Sequence, residues 1–310
     1  MDILITGGTG FIGSLLVPTL TGTAEEPRDH VTLLTRFPSR VSAARRDLIE
    51  AGRLRVIGSL DELSRETRFD AVINLAGEGI ADRPWTRQRK RELHSSRIMT
   101  TEALVDWLRL AKHKPEVLIS GSAVGWYGNQ GDLLLEESSP PHEEFVHELC
   151  RDWEQAALAA SRLGIRVCLL RTGVVIGAGG GMLRRLLPVF TLGLGGALGS
   201  GNQYLSWISL PDVVQVILRL LCDREMSGVY NLTGPRPVTN QEFAQTLGQL
   251  LRRPAVLKVP ASVIKLAMGE MSTLLLDGQR VIPSRLLQAR HHFVHATLET
   301  ALRAALSRPG

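Results

Sequence analysis

The chain opens on Met1-Asp2-Ile3-Leu4-Ile5-Thr6-Gly7-Gly8-Thr9-Gly10-Phe11-Ile12-Gly13, and this stretch decides the fold. Ile3, Leu4 and Ile5 form a short apolar run, the pattern of a strand buried on both faces of a parallel sheet. Glycines follow at 7, 10 and 13, and the apolar residues 11–20 open a helix. A strand, a glycine turn and a helix N-terminus make an anion site. Free N–H groups and the positive end of the helix dipole face a pyrophosphate, and missing side chains let it come close. Gly7 permits the tight turn, Gly10 the close approach, and Gly13 the packing of helix on strand. Thr9, Phe11 and Ile12 complete the predicted cofactor turn. Pro18 removes one helical hydrogen bond, which predicts a kink or an early end to the helix.

The rest of the chain suits that opening. Its 310 residues, 30 glycines and 44% apolar content predict a soluble α/β enzyme with one nucleotide-binding domain and a smaller lobe. No run reaches the ~18 uninterrupted apolar residues of a membrane span. The chain begins directly in a strand, so no signal or transit peptide is expected. Cys150, Cys168 and Cys222 are odd in number and widely spaced, which predicts a reducing compartment, the cytoplasm, and no zinc site. The net charge of +5 is carried mainly by arginine. Without a nucleic-acid motif or a membrane segment, this balance points to a phosphorylated cofactor and a small substrate, with an anionic one among the options. The oligomeric state stays open, with a homodimer among the options.

Residues 30–35 read as the second strand. In NAD-binding proteins an acid ends this strand and bonds the ribose 2′-OH. Here the strand ends in Thr35-Arg36-Phe37-Pro38-Ser39-Arg40, without one. A carboxylate repels a 2′-phosphate, whereas a guanidinium grips it with two parallel hydrogen bonds. NADP is therefore the expected cofactor. Thr35 and Arg36 lead its contacts, with Arg40 second; a solvated loop arginine is the alternative.

Further strands are expected at residues 54–57, in 71–78 up to its small residues, in 117–128 and 167–177 where each runs into a loop, and at 229–232. The basic run from Arg83 to Arg97 leads into a helix expected to end near His113, its charges, Arg97 excepted, mostly on a solvated face. Residues 188–201 hold five glycines between 193 and 201 and read as a mobile wall of a pocket. Asp212 reads as a helix cap, and Thr239 or Asn240 as another. The adjacent His291 and His292 lie on different faces of any helix, so no metal site is expected.

The glycine spacing within Thr6–Gly13 resembles that of the extended short-chain dehydrogenase/reductase superfamily. The implied fold is a Rossmann-like, doubly wound parallel sheet with a smaller, mainly helical C-terminal substrate lobe. The turn Asn74-Leu75-Ala76-Gly77 resembles the family's, implying that Leu75, Ala76 and Gly77 pass the cofactor's ribose and phosphate. Arg97 stands where a "Ser-Arg" replaces an asparagine common in the family, implying that it faces the cofactor. Ile119-Ser120-Gly121-Ser122-Ala123-Val124-Gly125-Trp126-Tyr127-Gly128 resembles the strand and loop that deliver the catalytic hydroxyl. Ser120 would then lie by the cofactor and Ser122 would polarise a carbonyl or hydroxyl. Leu170-Arg171-Thr172-Gly173-Val174-Val175 resembles the stretch over the nicotinamide, which adds Gly173 and Val175.

One family part is missing. Extended reductases carry Tyr-x-x-x-Lys on the helix beside the nicotinamide, where a cation brings a phenol of reference pKa ~10 into useful range. None of Tyr127, Tyr204 and Tyr230 has lysine four residues on. Alignment on Glu154 puts Val146 and Cys150 in the two places. Tyr127, ranked first, or His147 would supply the proton, with Arg97 or Arg151 as the cation. A solvent-facing His147 is the alternative.

Residues 278–286, with the Asn74, Ser96–Arg97 and Gly193–Asp212 segments, narrow the resemblance to YfcH-like epimerase-family proteins. That branch is described as NADP-dependent oxidoreductases with a C-terminal domain of unknown function. The implied domains are 1–172 with 207–232 for NADP, and 173–206 with 233–310 for substrate. Two functions stand open: an NADP-dependent oxidoreductase or epimerase-like enzyme, or an NADP-binding regulatory module that has lost catalysis.

Overall fold

The computed structural model describes residues 1–22, 26 and 28–307 of the chain. Ile3, Leu4 and Ile5 are fully buried in β1, Asp2–Thr6. Among the described residues β1 joins a seven-stranded sheet with β2 (His30–Leu34), β3 (Leu54–Ile57), β4 (Ala71–Asn74), β5 (Val117–Ala123), β6 (Arg166–Thr172) and β7 (Gly228–Leu232). The spatial order is β7-β6-β5-β4-β1-β2-β3, and every pairing is parallel. The order reverses beside β1. At such a switch point the connections leave to opposite faces, and a crevice opens at the strands' carboxyl ends.

Alternation along β1 divides the core. Ile3 and Ile5 pack on one face with Leu16, Val17 and Leu20 of α1 (Phe11–Thr21), whereas Leu4 packs on the other with Leu104 and Leu108. A strand covered by helices on both faces reads as a continuous apolar run, which is why these three residues could be recognised. Helix α1 continues through Pro18 to Thr21, and the Gly22 N–H bonds the Pro18 carbonyl. Burial of Leu16, Val17 and Leu20 around the proline outweighs the one lost hydrogen bond, so the early end predicted for this helix does not occur.

The basic segment also differs from expectation. It forms two helices, α2 (Arg87–Ser95) and α3 (Ile98–Leu110), with a break at Ser96–Arg97. The Arg97 guanidinium donates to the Leu93 carbonyl at 3.1 Å, satisfying an end of α2 that would otherwise lack a partner. Arg89, expected on a solvated face, is buried.

Beyond β5 come α4 (Phe145–Leu158), α5 (Gly181–Thr191), α6 (Leu210–Cys222), α7 (Asn240–Leu251) and a helix over Leu298–Ser307. Leu183, Phe190, Phe243, Leu247 and Leu302 share a separate apolar cluster with Trp207. The glycine-rich segment is pinned, not free: Gly196–Leu198 pairs with Leu257–Val259, and a Cβ on Gly196 would lie 1.6 Å from the Leu257 carbonyl oxygen. Thr239 caps α7 in a reciprocal box with Glu242. Ser209, not Asp212, caps α6. Asp212 instead accepts the backbone N–H groups of Val294 at 2.6 Å and His295 at 3.2 Å, tying the C-terminal segment to α6. Among the described residues no helix is long and apolar enough to cross a membrane.

Candidate functional site

The three glycines of the first turn answer to different constraints. Gly7 has φ +70°, and a Cβ there would stand 2.4 Å from the Leu75 carbonyl. On Gly13 it would stand 2.2 Å from the Gly8 carbonyl oxygen. Gly10 differs: an added Cβ meets only the Gly7 carbonyl oxygen, at 3.2 Å, and otherwise open space. Gly10 therefore keeps clear the volume before the N-terminus of α1, a cradle that fits a pyrophosphate. Thr9 is exposed there and Ile12 is half-buried. The Phe11 ring packs instead on the loop after β6, where a Cβ on Gly180 would lie 2.3 Å from it. The glycine run 179–181 thus makes room for Phe11.

At the end of β2, the Thr35 N–H bonds the Ile57 carbonyl and Arg36 reaches out with 77% of its side chain exposed. Arg40 stands over the Phe37 ring at 5.1 Å. Arg36 Nη1 donates to Glu78 Oε1 at 2.8 Å. Glu78 follows the Leu75-Ala76-Gly77 turn of β4, and the reading from sequence passed over it. An acid just past that turn is the only local signal, because its partner lies on another strand. Arg36, ahead of Arg89, holds the Glu78 carboxyl below the usual carboxylate range. Arg89 Nη1 lies 3.5 Å from Glu78 Oε2 and 3.0 Å from Glu92, while Nη2 donates to the Gly79 carbonyl at 2.8 Å. Arg97 Nη2 donates to the Glu78 carbonyl at 2.8 Å, and the Glu78 N–H bonds Ser96 Oγ at 3.1 Å. The Arg97 guanidinium also lies under Gly77 and 5.3 Å from the Trp153 ring. Arg97 is thus turned to the protein's own backbone, as a brace for the β4 loop.

Register aligns Thr6, Asn74 and Ser120 across β1, β4 and β5. Asn74 accepts from Thr6 Oγ1 at 2.6 Å and donates to Thr101 at 2.8 Å and to Ser120 at 3.2 Å. The Ser120 side chain is fully buried in this row.

Two residues further along β5, Ser122 donates its hydroxyl proton to Glu154 Oε1 at 2.7 Å. Arg171 of β6 grips Glu154 with two parallel bonds, Nε to Oε1 at 2.8 Å and Nη2 to Oε2 at 2.9 Å. Arg171 Nη1 donates to the Tyr127 hydroxyl at 3.2 Å, and that hydroxyl donates to Asn231 Oδ1 at 2.7 Å. The guanidinium also lies 3.4 Å from the Trp126 ring centre. Burial pulls the Arg171 value down, but the Glu154 carboxylate outweighs it and the net direction is up.

This network alters the sequence expectations for proton transfer. Tyr127 is 0% exposed, its hydroxyl is committed within the core, and burial pushes the phenol up despite Arg171. It does not border a pocket with Ser122. His147 is buried rather than solvent-facing. Its Nδ1 lies 2.6 Å from the Trp126 carbonyl; a carbonyl only accepts, so Nδ1 carries the proton and Nε2 is the nitrogen left for other work. Cys150, in the family's lysine place, is a thiol that burial pushes up to about 12; a neutral thiol stands where the family has a cation. Arg151 is spent on Asp152 at 3.0 Å. Gly173 admits the Ser206 carbonyl oxygen, 2.3 Å from where its Cβ would be, and Val175 lies in the short strand Val174–Ile176 against Trp207–Ser209. Sequence reading also missed Glu144, whose carboxyl burial pushes up, with Asp277 adding to the shift.

Comparisons with known proteins agree with this geometry. The model of the NAD dependent epimerase/dehydratase family matches residues 3–233, and that of a domain of unknown function, DUF1731, matches residues 259–305. Epimerase family protein Mb2239 of Mycobacterium bovis is 41% identical, over 99% of this chain and 98% of that protein. Mouse epimerase family protein SDR39U1 is 34% identical, over 98% of this chain and 99% of its own length. The crystal structure of human SDR39U1 (isoform 2) with NADPH superposes with a TM-score of 0.86 at 33% identity, covering 99% of this chain and 100% of that one. Parallel sheet, glycine turn and full-length likeness agree: the chain belongs to the NAD dependent epimerase/dehydratase family and carries its C-terminal DUF1731 domain.

Proposed function

We propose that the protein is an NADP-dependent oxidoreductase or epimerase-like enzyme acting on a small, hydroxyl-bearing substrate. The observation that carries this reading is Arg36 at the end of β2, where a 2′-hydroxyl reader would be acidic; the NADPH in the human relative supports it. The turn around Gly7, Gly10 and Gly13 would hold the pyrophosphate, and Arg36, with Arg40 beside it, the 2′-phosphate. When bound, NADP supplies a two-electron redox step at its nicotinamide. Ser122 directs its proton to Glu154, so toward a ligand it offers oxygen lone pairs and suits a hydroxyl better than a carbonyl. His147, through Nε2, is the better candidate for moving a proton. The free thiols of Cys150, Cys168 and Cys222 favour a reducing compartment, and we place the protein in the cytoplasm.

Titration of the purified chain with NADPH and NADH tests the reading. NADPH should bind more tightly, and Arg36→Ala should erase most of the difference, a loss of about 1.5–3 kcal/mol for a hydrogen bond to a charged group. Equal affinities in the unaltered protein would sink it. A second reading, an NADP-binding regulatory module, is favoured by the buried Tyr127 hydroxyl and the neutral Cys150; it predicts tight NADPH binding with no reduction of NADP+ by any hydroxyl compound tried and no oxidation of NADPH by the matching carbonyl compounds.

A further inference from the structure

Arg36 follows β2 and Glu78 follows β4, the two strands that flank β1. Their loops meet over the carboxyl end of β1, and Arg36 Nη1 lies 2.8 Å from Glu78 Oε1. A guanidinium available to a 2′-phosphate is therefore already holding a carboxylate. The two ends of this pair differ in freedom. Arg36 is 77% exposed and Glu78 only 23%. The Glu78 backbone is held on both sides by Arg97 and Ser96. Its second oxygen faces buried Arg89 at 3.5 Å, so Glu78 keeps a cationic neighbour if Arg36 leaves. Arg36 is the mobile partner and Glu78 the fixed one.

We propose that Glu78 is a cofactor-discriminating residue: it competes with the ribose 2′-phosphate for Arg36 and so weakens NADP(H) binding selectively. A phosphate monoester brings about −1.5 to −2 charges at neutral pH, and it must draw Arg36 away from a carboxylate that stays close by. A 2′-hydroxyl brings no charge and leaves the ion pair intact, so NAD(H) meets no such penalty. The acid missing from the end of β2 is thus supplied from the loop of β4. It narrows a preference that Arg36 alone would make wider, and keeps NADP(H) exchangeable.

The inference rests on the reading that Arg36 receives the 2′-phosphate, and the test separates the two. Dissociation constants for NADPH and NADH are measured on the full chain, on Glu78→Gln, on Arg36→Ala and on the double variant. Glu78→Gln should tighten NADPH about two- to fivefold, the strength of an exposed ion pair, with NADH unmoved. The gain should vanish in the Arg36→Ala background. Should Glu78→Gln fold poorly beside Arg89, Glu78→Asp draws the charge back from Arg36 while keeping it, and should give a smaller gain of the same sign. Loosened NADPH binding, or an equal shift for both cofactors, overturns the competition. If Arg36→Ala lowers the NADPH preference while neither Glu78 variant raises it, only the competition fails. If Arg36→Ala leaves the preference unchanged, the reading of Arg36 fails and takes this proposal with it.

Discussion

Ser122 and Glu154 are joined by a 2.7 Å hydrogen bond inside the protein, with Arg171 closing bidentately on the same carboxylate. Ser122 is therefore oriented by a buried ion pair. Removing one partner of such a pair leaves an uncompensated charge in a medium that solvates it poorly.

Glu154→Ala is accordingly expected to lower unfolding free energy by about 3–5 kcal/mol. Replacing Glu154 and Arg171 together by methionine should recover much of that loss, because no lone charge remains. Urea denaturation of the three proteins provides the check. A loss below about 1 kcal/mol for the single variant, typical of an exposed pair, would show that water reaches Arg171.

The glycines of the first turn predict a separation of binding from folding. Gly10→Ala adds a methyl group that meets only the Gly7 carbonyl oxygen, at 3.2 Å, and should cost far less stability than Gly13→Ala while abolishing measurable NADPH binding. Gly13→Ala puts Cβ 2.2 Å from the Gly8 carbonyl oxygen and should fail to fold stably. Thermal melts and cofactor titration on both variants decide this; unaltered NADPH affinity in Gly10→Ala would mean that the pyrophosphate does not approach there.

Cysteine reactivity should follow burial. Cys222 is exposed, whereas burial pushes the thiols of Cys150 and Cys168 up to about 12 and about 11. The thiolate is the reactive form. A maleimide reagent at mildly alkaline pH should label Cys222 quickly, and the other two only after denaturation. Rapid labelling of Cys150 in the native protein, located by peptide mass, would contradict the packing around α4.

Glu144 provides a pH test. Burial raises its carboxyl, with Asp277 adding to the shift. A carboxyl raised on folding contributes stability below its unfolded value and loses it as pH rises through the folded one. Glu144→Gln should therefore be more stable than the unaltered protein at neutral pH, with the difference shrinking on acidification through the glutamate range. A difference of opposite sign at neutral pH would show that the Glu144 carboxylate is favourably paired.

The order of elements was legible because its causes are local. An apolar run, three spaced glycines and a following helix specify β1 and its turn within thirteen residues. Burial on both faces makes β4 and β5 readable in the same way. The missing acid after β2 was legible too, since it lies within the same short segment.

Local reading fails where the partner is distant in the chain. Arg36 and Glu78 are 42 positions apart, and Tyr127 and Asn231 are 104 apart. Sequence placed Tyr127 beside Ser122, five residues away, but the turn Val124–Tyr127 sends its ring into the core. The early helix end expected at Pro18 does not occur, because helix propensity weighs one lost hydrogen bond and cannot weigh the burial of Leu16, Val17 and Leu20. By itself, then, the sequence determined the strands and the glycine turn, through periodicity and spacing along the backbone, while the family was read from the resemblance of its motifs. Only the tertiary structure decided which charges meet and which hydroxyls are free, because side-chain direction and desolvation arise when segments far apart in the chain pack together.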